Sequence, residues 1–79
     1  MKVEVNTFYR HNGELRKNTY MIKGVRNLEK YFNSKKQDAE VRAMQTGGTI
    51  DIIRIKETEL VINYHNTGAV ERRIHTVIL

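Results

Sequence analysis

The chain is 79 residues long, has no cysteine and no proline, and carries a formal net charge of +5. That length holds one domain, because two separate cores would each be too small to offset chain entropy, and the missing cysteines exclude disulfide staples, thiolate metal sites and a cysteine nucleophile. No run approaches the roughly 18 apolar residues that span a bilayer and the first residues alternate instead of forming a signal core, so a cytoplasmic domain without membrane contact is expected, with homodimerisation open at this marginal size.

The first element is a hairpin. Asn12-Gly13 suits a type I′ turn, in which both central residues need positive φ. Folding there pairs Val3 with Ile22, Val5 with Tyr20, Thr7 with Asn18 and Tyr9 with Arg16. One face then gathers Val3, Val5, Tyr9, Tyr20 and Ile22, while the other is mostly polar apart from Phe8 and Met21. A slip by one residue would spoil that sorting, so turn chemistry and apolar pattern agree.

Gly24 breaks the second strand. Val25, Leu28 and Phe32 follow at helical spacing with Tyr31 beside the stripe, which predicts a helix of about ten residues whose aromatics pack on the sheet. Asn33-Ser34 is expected to end it, with Lys35 and Lys36 near the negative end of its dipole. Residues 38–46 read two ways. Ala39, Val41 and Ala43 alternate with Glu40 and Arg42 and lead into Gly47-Gly48, which favours a strand and a turn. The alternative is a helix capped by Asp38 and stopped by Gly47, or one continuous helix over 25–46.

The remainder reads as a meander. A turn at 56–59 would pair Ile55 with Leu60 and Ile53 with Ile62. A three-residue loop Asn66-Thr67-Gly68, with Gly68 left-handed, would pair Tyr64 with Val70, Ile62 with Arg72 and Leu60 with Ile74. Ile53, Ile55, Leu60, Ile62, Tyr64, Val70 and Ile74 then share one face, and Ile50, Ile52 and Val61 the other. The expected fold is a small single α+β domain over residues 1–79, ordered ββαββββ, with a mostly antiparallel sheet and one packed helix; ββαβββ with a helix over 25–46 is the alternative.

Little supports catalysis. Ser34 is the only serine and lies among lysines, with no histidine near it in sequence. Asp51, Glu57, Glu59 and Glu71 show no spacing that asks for an acid–base pair. In the expected register His65 and His75 share the outer face of the last hairpin, roughly 15 Å or more apart at about 3.3 Å per residue. A shared metal is excluded at that distance, and His75 falls opposite Glu59. His11 sits beside the first hairpin's tip. A metal-free ribonuclease of Arg, Lys, Tyr and His has the residue types here but no recognisable spacing. The five glycines make no phosphate loop, and no cofactor is expected.

The remaining signal is charge. The stretch from Arg10 to Lys36 holds eight basic residues against two acids, leaving six basic and seven acidic residues elsewhere. Such a local field attracts phosphate or acidic protein surfaces. The expected function is non-catalytic binding of nucleic acid phosphates through Arg10, Arg16 and Lys17 at the hairpin tip and Arg26, Lys30, Lys35 and Lys36 around the helix. Exposed Phe8 or Tyr31 would stack on unpaired bases. The alternative is a protein–protein interaction module, such as a phage- or plasmid-borne inhibitor or adaptor, using a strand edge or the Phe8–Met21 side against an acidic protein partner.

Overall fold

The computed structural model describes residues 1–79, with the side chains of all but Arg54 and Ile55. Its elements run β1 (Lys2–His11), β2 (Glu14–Ile22), α1 (Leu28–Thr46), β3 (Thr49–Lys56), β4 (Glu59–His65) and β5 (Val70–Ile78). The strands form one antiparallel sheet in the order β2-β1-β5-β4-β3, and the helix packs across one face. The domain is α+β, and the strands on its two edges are β2 and β3.

The first hairpin follows its sequence pattern. Asn12 and Gly13 take φ of 52° and 80°, as the type I′ turn requires. Val3 pairs with Ile22, Val5 with Tyr20, Thr7 with Asn18 and Tyr9 with Arg16. Met1 and Val25 add a reciprocal bridge at its base, with Val25 N–H donating to the Met1 carbonyl at 3.1 Å and the Met1 amine to the Val25 carbonyl at 2.9 Å. Val3 and Val5 are fully buried, but Tyr20 remains 45% exposed. It has the expected face but sits on the edge strand, where it stays exposed although near Tyr31 of the helix.

The helix corrects the reading of the middle segment. It runs unbroken through Asn33-Ser34 and includes all of 38–46, so no strand forms there and Asp38 is no cap. Asn27 caps it instead, its Oδ1 accepting the Lys30 N–H at 3.0 Å, and Gly47 ends it at a left-handed φ of 73°. Two facts explain the outcome. Ala39, expected to alternate in a strand, continues the Phe32 side of the helix at i+7 and is buried with it. Gly47 terminates the helix instead of turning a hairpin, and Gly48 carries the chain so close to β4 that a Cβ there would overlap the carbonyl oxygens of His65 and Asn66. Lys35 and Lys36 therefore lie in mid-helix, and the last turn holds no basic residue.

The C-terminal strands are displaced from the expected pairing by one residue. Leu60 faces His75, Val61 faces Ile74 and Ile62 faces Arg73. The connection from β4 to β5 has four residues, because Thr67 turns inward, is buried, and directs its hydroxyl to the Val70 carbonyl at 3.5 Å. Gly68 does take positive φ, 97°, and Asn66 joins it at 58°. Between β3 and β4 the turn pairs Lys56 with Glu59, but an irregularity then shifts the register, so Ile52 faces Ile62 and Ile53 faces Val61. The expected Ile55–Leu60 pair involves a side chain outside the described residues.

A shift of one residue exchanges the faces of a strand. The core therefore collects Leu60, Ile62 and Tyr64 with Phe32 and Ala39, joined by Ile50 and Val70. A second cluster, Val3, Val5, Val25 and Val77, meets the first through Leu28 and Tyr31. Ile53 and Ile74 belong to the opposite, helix-free face.

Candidate functional site

Each face of the sheet is a set of cross-strand rows, and the two faces treat charge differently. On the open face one row reads Lys17, Phe8, Arg72, Asn63, Asp51 across all five strands. Arg72 Nε donates to Asn63 Oδ1 at 2.7 Å, and His65 Nε2 lies 2.9 Å from Asp51 Oδ2. Arg10 Nε reaches Glu71 at 3.4 Å. These groups, with Phe8 and Leu15, line an open concavity of about 470 Å³. Its two arginines are offset by two carboxylates, so it has no strong field of one sign.

The Asp51–His65 pair was hidden from the sequence by the register shift. With Ile53 opposite Ile62, Asp51 would have faced Tyr64; the observed pairing puts it opposite Asn63, diagonal to His65. His65 and His75 lie on opposite faces of the sheet rather than sharing one. Glu59 faces Thr76, whose hydroxyl donates to it at 3.4 Å, so the expected His75–Glu59 pair does not form.

His75 instead enters the covered face between Val5 and Leu60 and is 2% exposed. Its Nδ1 and the Tyr31 hydroxyl are hydrogen-bonded at 3.0 Å, with the rings edge to face at 5.6 Å. Burial, reinforced by the Lys35 and Arg73 charges, lowers its pKa to about 4 and keeps it neutral at pH 7. Burial, helped by the nearby Tyr20, raises the Tyr31 hydroxyl to about 12. Lys35 lies 5.3 Å from the Tyr31 ring centroid.

Above this pair, beside the start of α1, is an open groove of about 500 Å³. Arg26, Asn27, Lys30, Tyr31, Ser34 and Lys35 line it, with Gly24 and Val25, and no carboxylate does. Three of the seven expected site residues, Arg26, Lys30 and Lys35, thus converge. Arg26 precedes the cap and is not on the helix, so it shares the groove lining with Lys30 but not a helix face. Lys36 lies on the helix outside the groove lining, half-buried.

The other three stand apart. Arg10, Arg16 and Lys17 are exposed at the far end of the first hairpin, and at about 3.3 Å per residue Arg16 is roughly 20 Å along β2 from Lys23. Arg10 and Arg16 also lie 3.4 and 3.5 Å from Glu71 and Glu14. Such exposed pairs add little stability, but they reduce the field at the tip. Phe8 is half-buried on the open face and Tyr31 is engaged by His75 and Lys35, so neither offers a free stacking ring.

Among the described residues no helix is long and apolar enough to cross a membrane. Comparison with protein families, characterised proteins and solved structures finds no match to this chain.

Proposed function

We propose that the protein is a non-catalytic binder of nucleic acid, and that the groove beside the helix start is its main phosphate contact. The observation that carries this reading is the convergence of Arg26, Lys30 and Lys35 on one open groove with no lining carboxylate. Lysine and arginine side chains at such a surface neutralise backbone phosphates and release condensed counterions. Lys36 flanks the contact, and Arg10, Arg16 and Lys17 supply a second, weaker one at the hairpin tip. Because the nearby aromatic rings are engaged, recognition is electrostatic and tolerant of sequence.

The test is titration of labelled single- and double-stranded oligonucleotides at low and high salt. Binding at low salt should weaken as salt rises, and Arg26→Glu with Lys30→Glu should lower the dependence of log K on log salt by about two. No binding at low salt, or affinity unchanged by the double substitution, overturns the proposal.

A second reading is favoured by β2, a strand at the sheet's edge with one side open and eight of its nine residues exposed. An edge of that kind accepts a strand from another protein. In that case a pull-down from the native host recovers one stoichiometric, acidic partner, and oligonucleotides bind weakly.

A further inference from the structure

Two cations on the covered face take no part in the groove described above. Arg73 rises from β5 between Thr7 and Ile62, with its guanidinium carbon 5.7 Å from the Tyr64 ring centroid. Arg42 descends from the C-terminal half of the helix, and its terminal nitrogen lies 3.3 Å from where a Cβ on Gly68 would sit. The two arginines therefore approach Tyr64 from opposite layers, helix and sheet.

Their hydrogen bonding is incomplete. The Nε of each is buried and has no partner. Among the described residues no carboxylate is within 4.0 Å of either guanidinium; Asp38, one turn before Arg42, is paired with Lys35 at 3.8 Å. Native interiors rarely leave buried charged donors unpaired, and such donors are ordinarily filled by a bound water or ion. Arg73 hydrogen-bonds the Tyr64 hydroxyl, and burial and the Asp38 charge raise the Tyr64 pKa while Arg73 and Arg42 oppose that shift, which places both cations within electrostatic reach of the hydroxyl. Both residues are half-buried as a whole.

We propose that Arg42 and Arg73, with Arg73 held in place by the Tyr64 hydroxyl, form a subsite for a phosphate group. Guanidinium forks match tetrahedral oxyanions through paired N–H donors. The phosphate belongs either to a nucleic acid backbone or to a free phosphate ion, and the chemistry of recognition is the same for both. The subsite does not depend on the groove at the helix start, which uses different residues.

The test follows the arginine Nε–Hε signals by ¹H–¹⁵N NMR while inorganic phosphate, and separately an oligonucleotide without terminal phosphates, is added at constant ionic strength against chloride. Saturable movement of the Arg42 and Arg73 signals with either probe, weakened at least tenfold by Arg42→Gln or Arg73→Gln, supports the subsite. Response to the oligonucleotide assigns the backbone as the source, and response to phosphate alone assigns the free ion. Arg73→Lys, which keeps the charge but loses the fork, should fall between wild type and Arg73→Gln, and backbone amide spectra confirm that each variant is folded. Signals unmoved by both probes, or movement equal in wild type and the Gln variants, overturns it. If Arg26→Glu with Lys30→Glu abolishes no oligonucleotide binding while the Arg42 and Arg73 response persists, the groove reading fails and the subsite stands.

Discussion

The two faces of this sheet are made from alternate residues of the same five strands, yet they handle charge in opposite ways. On the open face Arg10 meets Glu71, His65 meets Asp51 and Arg72 meets Asn63. Along the seam between helix and sheet lie Arg26, Lys30, Lys35, Arg42 and Arg73, and among the described residues only Lys35 has a carboxylate partner. The covered face also holds the core, whereas the open face leaves Leu15, Met21, Ile53 and Ile78 between 40% and 54% exposed. The contrast teaches that the covered side carries both the stability and the uncompensated charge. The open side is charge-balanced and, apart from the buried Val61, leaves its apolar residues exposed or half-buried.

The largest effect expected from this contrast is on the core. Phe32 is fully buried between helix and sheet, so Phe32→Ala should cost about 4 kcal/mol in denaturant unfolding. A loss under 1 kcal/mol would mean that the helix does not anchor this face.

The next effect is a pH dependence. The His75 pKa is lowered to about 4 in the folded protein from 6.5, so the unfolded chain takes up the proton first. Stability is full above pH 6.5 and falls as pH drops toward 4, by up to about 3 kcal/mol. The groups facing the ring are Tyr31 and Lys35 from the helix, Arg73 from its own strand, and Val5 and Leu60 from the flanking strands. None is a carboxylate that would stabilise the imidazolium. Unfolding curves between pH 7 and 4 should show the loss for wild type and a flatter profile for His75→Leu; parallel profiles would remove His75 as the cause.

Gly48→Ala should destabilise by about 2 kcal/mol, because its Cβ would be driven against the backbone oxygens of His65 and Asn66. An unchanged melting temperature would show that the junction between helix and β3 is looser than described. On the open face, Leu15→Ser and Ile53→Ser should each change stability by no more than about 0.5 kcal/mol. Either one costing more than Gly48→Ala would reverse the contrast between the faces.

The sequence was most informative where local chemistry decides structure. Asn12-Gly13 sets its turn through φ alone, and the pairing of Val3 with Ile22 and Val5 with Tyr20 follows from that turn. The other junctions depend on tertiary contacts. Thr67 is buried by packing that nothing in its neighbours announces, and this one residue lengthens the β4–β5 loop and moves His75 and Arg73 from the outer face to the inner. The irregularity between Ile53 and Lys56 has the same origin: the turn pairs as expected and the strand beyond it does not. Residues 39–45 carry an alternation that suits a strand, but Ala39 finds its burial beside Phe32 on the helix. For the candidate site, clustering in sequence brought Arg26, Lys30 and Lys35 to one groove. Arg42 and Arg73 lay outside the basic window and had no local signal; only the register and the continuous helix bring them to Tyr64.

The central claim is that the seam, not the open face, is the main nucleic-acid contact. The most direct measurement compares two variants with equal charge change, Arg26→Glu/Lys30→Glu on the seam and Lys2→Glu/Arg72→Glu on the open face, by oligonucleotide titration across a salt series. Net charge falls equally in both, so a difference reports position. The seam variant should lose about tenfold or more in low-salt affinity and about two from the salt slope, while the open-face variant stays within about threefold of wild type. Equal losses in the two variants, or a larger loss on the open face, would contradict the account.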